Sequence, residues 1–222
     1  LIAELKTHHY EVILVSSGAV SAGYTQLPLD RSIVANKQAL AAIGQPYLLK
    51  MYQEKFARFN LLCSQVLLSA DVFKFQEHVD HAKNAIDTLL ENNVVPIINE
   101  NDTVAVEEIK FGDNDTLSAL VAKLVGADVL IMLTDVDGFC AGRQKKCVDT
   151  VISIDSAMEK DASGTKKEYS LGGMKTKLRA CRIAMSSGVY CVIANGRRKD
   201  ILAKIINGEK VGTVFVPRKR GA

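Results

Sequence analysis

Short runs of apolar, often β-branched residues alternate along the chain with longer stretches whose apolar positions recur every three or four residues. The first kind predicts buried strands, the second amphipathic helices. Strands are predicted over Val12–Val15, Leu61–Leu68, Val94–Ile98, Asp128–Thr134, Val189–Ile193 and Thr213–Val216. One or two helices are predicted over 32–59, broken near Gly44-Gln45-Pro46, and further helices over His78–Asn92, 115–125, Met174–Ser187 and Lys199–Ile206. Leu117, Leu120, Val121 and Leu124 give the 115–125 segment its apolar stripe. Leu1–Lys6 reads as the tail of a helix already under way, and Asp155–Ser170 as a long polar connection. Val129–Leu133 is apolar at every position, the pattern of a strand covered on both faces. Alternation of this kind predicts an α/β fold, with helices on both sides of a largely parallel sheet.

In such sheets ligands sit beyond the carboxyl ends of the strands. Four polar groups follow predicted strands: Ser16-Ser17-Gly18, the tetrad Asn99-Glu100-Asn101-Asp102, Thr134-Asp135, and Ala194-Asn195-Gly196. They are expected to converge. The second of them, with Gly112-Asp113-Asn114-Asp115, is the most informative segment. Residues 99–115 hold six carboxylates and three carboxamides against one cation, Lys110. That density of like charge calls for a counter-charge: a ligand's ammonium group, a metal ion, or lysines from elsewhere. Asp102 by its charge and Asn114 by its amide oxygen suit an ammonium group. The competing role for Asp113–Asp115 is a helix cap, which needs only one such residue.

Leu171-Gly172-Gly173-Met174-Lys175-Thr176-Lys177 stands at a predicted helix start, where glycine lets backbone N–H groups approach an anion and the helix terminus favours negative charge. Lys177 lies about one turn in, within reach of a phosphate. An ordinary glycine turn is the competing reading, and neither a Walker A nor a G-x-G-x-x-G pattern occurs. Ser17-Gly18 suits a carboxylate or phosphate, or else caps the next helix. Thr134-Asp135-Val136-Asp137-Gly138 reads as a nucleotide contact or as a plain Asp-Gly turn. His78 and His81 lack a third ligand and read as a solvated helix face rather than a metal site.

Composition sets limits. The 222 residues, 48% hydrophobic and 24% charged, suit one globular domain spanning 1–222. A formal charge of +3 and a solvated Arg218-Lys219-Arg220 tail speak against nucleic acid as partner. Five scattered cysteines with no Cys-x-x-Cys pair predict reduced thiols in a cytoplasmic protein. No run of 18 apolar residues occurs, so no membrane span is expected, and no signal peptide is visible in these residues.

Taken in order, the motifs resemble the amino acid kinase family, in its glutamate-phosphorylating branch. The carrying residues are Val15-Ser16-Ser17-Gly18-Ala19-Val20-Ser21-Ala22-Gly23 and Lys37-Gln38-Ala39-Leu40-Ala41-Ala42-Ile43-Gly44-Gln45, followed by Val95-Pro96-Ile97-Ile98 with the two tetrads. Leu133-Thr134-Asp135, Gly172–Lys177 and Val211-Gly212-Thr213 complete the series. The resemblance implies a three-layer αβα sandwich and transfer of the ATP γ-phosphoryl group to the γ-carboxylate of L-glutamate, with Mg²⁺. It implies that Ser17, Asp102 and Asn114 bind glutamate. It assigns Thr134, Asp135 and Leu171, Gly172, Gly173, Met174, Lys175, Thr176 and Lys177 to ATP, Lys177 to the transferring group as well, and Asp115 to orienting the catalytic lysines. No protein metal site is implied. Proline as feedback inhibitor, a dimer or tetramer, and a glutamyl phosphate reductase downstream are implied too. An amino-acid-sensing module of the same fold, and an acetylglutamate or aspartate kinase, are the alternatives.

The chain departs from the family pattern at four points. It starts after the family's N-terminal Lys-x-Gly strand. It has Ser170-Leu171 where members often carry Gly-Thr, and a short Phe139–Arg143 loop. It lacks the appended RNA-binding-like domain of many bacterial members.

Overall fold

The computed structural model describes residues 1–104, 113–141, 146–163 and 173–217. The chain divides into two compact units, one running from Ile2 to Asn114 and the other from Asp115 onward.

The first unit contains α1 (Ile2–Thr7), β1 (Leu14–Val15), α2 (Ala19–Gln26), α3 (Val34–Ala57), β2 (Cys63–Leu68), a 3₁₀ turn (Ala70–Lys74), α4 (Gln76–Glu91) and β3 (Val95–Glu100). Its strands form a parallel sheet in the order β1-β3-β2, with Val15 opposite Ile98 and Leu68 opposite Glu100. All six residues of the central strand β3 are buried. Asn99 and Glu100 are therefore strand residues, where the hydrophobic pattern ended the strand at Ile98. Pairing with Leu67 and Leu68 of β2 carries the ladder two residues further.

Of the one or two helices expected, the structure has one, α3, 24 residues long, and it runs through Pro46 without the expected break. Proline removes a single N–H bond, to the carbonyl four residues earlier. Pro46 and that residue, Ala42, are both exposed, so water can take up the freed carbonyl. The neighbouring turn is held from the other side. A Cβ on Gly44 would lie 1.8 Å from the Ala19 carbonyl oxygen, and one on Gly23 would lie 1.9 Å from that of Leu40. Helices α2 and α3 thus cross with their backbones in contact. Gly18, which leads into α2, has φ +103°, a left-handed conformation that glycine adopts at no steric cost.

The second unit continues with α5 (Asn114–Val125, whose first residue belongs to the first unit), β4 (Val129–Thr134), β5 (Cys140–Ala141), β6 (Lys146–Cys147) and β7 (Thr150–Val151). It ends with α6 (Ser156–Ser163), α7 (Met174–Ser186), β8 (Tyr190–Asn195), α8 (Ile201–Ile206) and β9 (Thr213–Phe215). Its main sheet has the order β4-β8-β9-β7, with β4–β8 and β7–β9 parallel and β8–β9 antiparallel. Leu130, Met132, Phe139, Leu178, Cys181, Cys191, Ile193 and Phe215 pack in one core cluster. Each large apolar side chain buried there contributes about 1.5–3 kcal/mol.

The α/β class and the dominance of parallel pairing follow the hydrophobic pattern. Three features depart from it. Leu133 is 47% exposed, so β4, an edge strand of its sheet, is not covered on both faces. Part of the expected polar connection is helix α6. Cys140 and Cys147, predicted to be thiols, are joined by a disulfide, because the antiparallel β5–β6 pair sets them directly opposite each other. Cys63, Cys181 and Cys191 are buried thiols, as expected. Among the described residues no helix is long and apolar enough to cross a membrane.

In a helix without neighbours, Gly44→Ala would gain about 1 kcal/mol of helix propensity. The contact with α2 reverses the sign. The variant should lose about 3 kcal/mol through overpacking, read as a lowered midpoint in thermal or denaturant unfolding.

Candidate functional site

Within the first unit, the ends of β1 and β3 lie side by side, which brings Ser16-Ser17-Gly18 next to Asn99. Ser16 is buried and its N–H donates to the Ile98 carbonyl at 2.9 Å, continuing the ladder. Ser17 is exposed. The N-cap of α2 is Gly18, with no side-chain capping bond, so the capping role considered for Ser17 is not what the structure displays.

Asn114 joins this group from the first residue of α5. Its Nδ2 donates to the Ser16 carbonyl at 2.7 Å and to Asn99 Oδ1 at 3.3 Å. The Glu100 N–H donates to that same Asn99 oxygen at 2.9 Å. A backbone N–H needs an acceptor, so the Asn99 atom is oxygen, and Asn114 must turn its NH₂ toward it. Both amide hydrogens of Asn114 are then engaged, and Oδ1 remains as the acceptor it can offer to an ammonium group. Asp102 lies just beyond the end of β3 and is half-buried.

Asp115, the next residue, belongs to the second unit. Both its carboxylate oxygens accept from Lys177 Nζ at 3.0 Å, and Oδ2 also accepts from Thr176 Oγ1 at 2.7 Å. The Lys177 and Asp115 side chains are only 13% and 16% exposed. Asp115 sits in the first turn of α5, where the helix dipole favours an anion, and Lys177 in the first turn of α7, where it favours no cation. The carboxylate therefore holds a lysine in a place the helix alone would disfavour. Lys175 is exposed on the same turn. The α7 N-cap, Gly173, has an extended backbone, and among the described residues it has no side-chain capping bond and a Cβ on it would meet nothing within 4 Å. Leu171 and Gly172, two of the expected nucleotide contacts, lie outside the described residues.

Thr134 and Asn195 are paired across β4 and β8. Thr134 Oγ1 donates to Asp135 Oδ1 at 3.3 Å, and the Gly196 N–H donates to the Thr134 carbonyl at 2.9 Å. Asp137, in the same strand-end stretch, is held by Asn195 Nδ2 at 3.0 Å and by Arg198 Nε at 3.1 Å. The Asn195 hydrogen bond first, and the Arg198 guanidinium second, hold its carboxyl below the ordinary carboxylate range. Behind this turn, buried Thr213 accepts from the Phe139 N–H at 2.8 Å and donates to the Val148 carbonyl at 2.6 Å. The strand-end groups thus meet in pairs, Ser16–Gly18 with Asn99 and Thr134-Asp135 with Asn195, one pair in each unit. Among the described residues no three His, Cys, Asp or Glu side chains gather as a metal-ligand set.

The model of the amino acid kinase family matches residues 1–195. The chain belongs to the amino acid kinase family. It is 40% identical to the glutamate 5-kinase of Clostridium acetobutylicum, over 99% of this chain and 85% of that protein. It is equally similar to that of Clostridium perfringens, over 99% and 86%. Identity to the glutamate 5-kinase of Geobacter sulfurreducens is 44%, over 98% of this chain and 60% of that longer protein. The chain thus falls in the glutamate 5-kinase branch of the family. Among solved structures, the carbamate kinase from Giardia lamblia bound to AMP-PNP superposes with a TM-score of 0.68 at 22% identity, covering 98% of this chain and 87% of that one. The isopentenyl phosphate kinase of T. acidophilum gives 0.60 at 16% identity, covering 92% and 83%. These two share the amino acid kinase fold.

The depressed Asp137 value means that folding favours its ionised form. This contribution is present above the ordinary carboxylate pKa and is lost as pH falls through the lower value of the folded state. Asn195→Ala and Arg198→Ala should each move the Asp137 midpoint upward, as followed by carboxyl-carbon NMR during an acid titration.

Proposed function

We infer that the chain is an ATP-dependent glutamate 5-kinase, which transfers the γ-phosphoryl group of ATP to the γ-carboxylate of L-glutamate. The product is γ-glutamyl phosphate, and the reaction opens proline biosynthesis. The observation that carries this reading is the 40% identity extending over 99% of this chain and 85% of a glutamate 5-kinase. The sensing-module and other-kinase alternatives gain no support from those relatives.

The chemistry asks for little acid–base work. A carboxylate nucleophile is already ionised at neutral pH, so no general base is needed. The obstacle is bringing one anion onto another, which calls for alignment and for positive charge on the transferring group. Ser17, Asp102 and Asn114 are assigned to glutamate. The Asn114 amide oxygen, oriented by its own NH₂ contacts, and the Asp102 carboxylate suit the substrate ammonium.

Lys177 is assigned to the transferring phosphoryl group. An ammonium has three N–H donors, and contact with the two Asp115 oxygens leaves one to point at a phosphoryl oxygen. Asp115 aims the lysine and does not itself touch the phosphate. The start of α7, with uncapped Gly173, Met174, Lys175 and Thr176, suits the ATP phosphates, and Leu171 and Gly172 precede it. With no side chain of its own, Gly173 lets an outside group approach the backbone closely. Thr134 and Asp135 are assigned to the nucleoside side. Mg²⁺ enters with ATP as part of the nucleotide substrate and needs few protein ligands.

In the same reading, residues 1–222 act as a single kinase domain working in the cytoplasm. It forms a dimer or tetramer, is inhibited by proline near the glutamate site, and passes its labile acyl phosphate to a glutamyl phosphate reductase.

Full-length protein with glutamate, ATP, Mg²⁺ and hydroxylamine should give γ-glutamyl hydroxamate. Turnover with aspartate or acetylglutamate but not glutamate would overturn the assignment. Lys177→Ala should lower kcat on the order of a hundredfold or more, since it removes charge stabilisation at the transferring group. A near-normal kcat would remove Lys177 from the mechanism.

A further inference from the structure

Tyr52 lies in the C-terminal half of α3. In the structure its hydroxyl reaches the end of β1. Tyr52 OH lies 2.8 Å from Ser16 Oγ, and Ser16 Oγ lies 3.4 Å from the Ser17 carbonyl. A hydroxyl carries one hydrogen, so both contacts are met only if Tyr52 donates to Ser16 and Ser16 donates to Ser17. The Ser16 N–H is tied to Ile98 and its carbonyl receives the Asn114 NH₂. The buried residue is thus held at its N–H, its carbonyl and its side chain at once. The peptide after it is fixed too. In a trans peptide the N–H points opposite to the C=O. Drawing the Ser17 carbonyl toward Ser16 therefore turns the Gly18 N–H the other way, at the turn where Gly18 has φ +103°.

We propose that Tyr52 is a positioning residue for the acceptor half of the site: its hydroxyl, through Ser16, sets the Ser17–Gly18 peptide and the carbonyl that orients Asn114. This deepens the proposed function, because it rests on reading Ser17 and Asn114 as glutamate contacts. Tyr52 touches no reacting atom. Its ring packs beside Phe56, with centroids 6.4 Å apart, and against the cluster of Phe56, Cys63, Val95 and Ile97. Removal of the hydroxyl alone therefore leaves this packing in place. A buried Ser16 hydroxyl that loses its partner pays a desolvation cost unless the loop shifts to satisfy it, and such a shift is felt at Ser17 and Asn114.

The test is Tyr52→Phe, with Ser16→Ala and the double variant alongside. A hydrogen bond of this kind corresponds to about a three- to tenfold change in an equilibrium constant. Tyr52→Phe should raise the glutamate KM by about that factor, with ATP KM and kcat changed less than twofold. The double variant should be no worse than Ser16→Ala alone, since both remove the same bond. In ¹⁵N-edited spectra the side-chain NH₂ signals of Asn114 should shift in Tyr52→Phe, a readout that needs no substrate.

An unchanged glutamate KM, a parallel loss of kcat and ATP KM, additive effects in the double variant, or unmoved Asn114 signals would each overturn the proposal. Wild-type protein that fails to phosphorylate glutamate while the Asn114 signals shift in Tyr52→Phe would instead overturn the functional reading, leaving Tyr52 as the residue that orients Asn114.

Discussion

A largely desolvated ion pair, Asp115 with Lys177, is the constraint to which the phosphoryl-transfer chemistry is tied. Lys177 stands in the first turn of α7, where the helix dipole repels a cation. Removing either partner would strand the other charge away from water, at a cost of several kcal/mol. The pair fixes the lysine by two equal contacts and the carboxylate by a third from Thr176, so the ammonium has a defined direction. Direction matters more than affinity in this chemistry, because the charge on a transferring phosphoryl group is met only by donors already in place.

The acceptor side is organised by neutral hydrogen bonds. A single backbone N–H, that of Glu100, settles which atom of Asn99 is oxygen. That choice settles which way Asn114 faces, and the Ser16 carbonyl reinforces it. None of these bonds is individually strong. Each orphaned partner would be costly, however, and the set has one satisfied arrangement. Ser16 needs β3 beside it, and its loop runs into α2. The contact of Gly23 and Gly44 with opposing backbone keeps α2 against α3, and Tyr52 reaches Ser16 from α3. The site thus inherits its precision from a helix crossing that only glycine permits.

Much of this was legible along the chain. The strand runs ending at Val15, Ile98 and Thr134 and the helices starting near 115 and 174 were marked by apolar period and by polar residues at their ends. Ser17, Asp102, Asn114, Asp115 and Lys177 stood out because their types and order are unusual for turns alone. The amino acid kinase resemblance attached chemistry to them, and the relatives named above bear out the family. The helix through Pro46 was not legible, because local propensity sees the missing N–H and not the solvent that compensates for it. Nor was the Cys140–Cys147 bond, which depends on a two-residue strand pair too short to carry a periodic signal.

The sequence by itself determined the α/β class, the order of the motifs, and the residue types available for binding an ammonium group and holding a phosphate, because these follow from local pattern and composition. Only the tertiary structure decided how they are used. It directed Lys177 onto Asp115, turned the Asn114 amide by way of Asn99 and Ser16, set Asp137 against Asn195 and Arg198, and brought Tyr52 to Ser16. Each of these depends on strand register or helix crossing between residues 15 to 98 positions apart. No local propensity encodes such distances; they arise when the sheet and helices bury their apolar faces and the remaining polar groups must find partners.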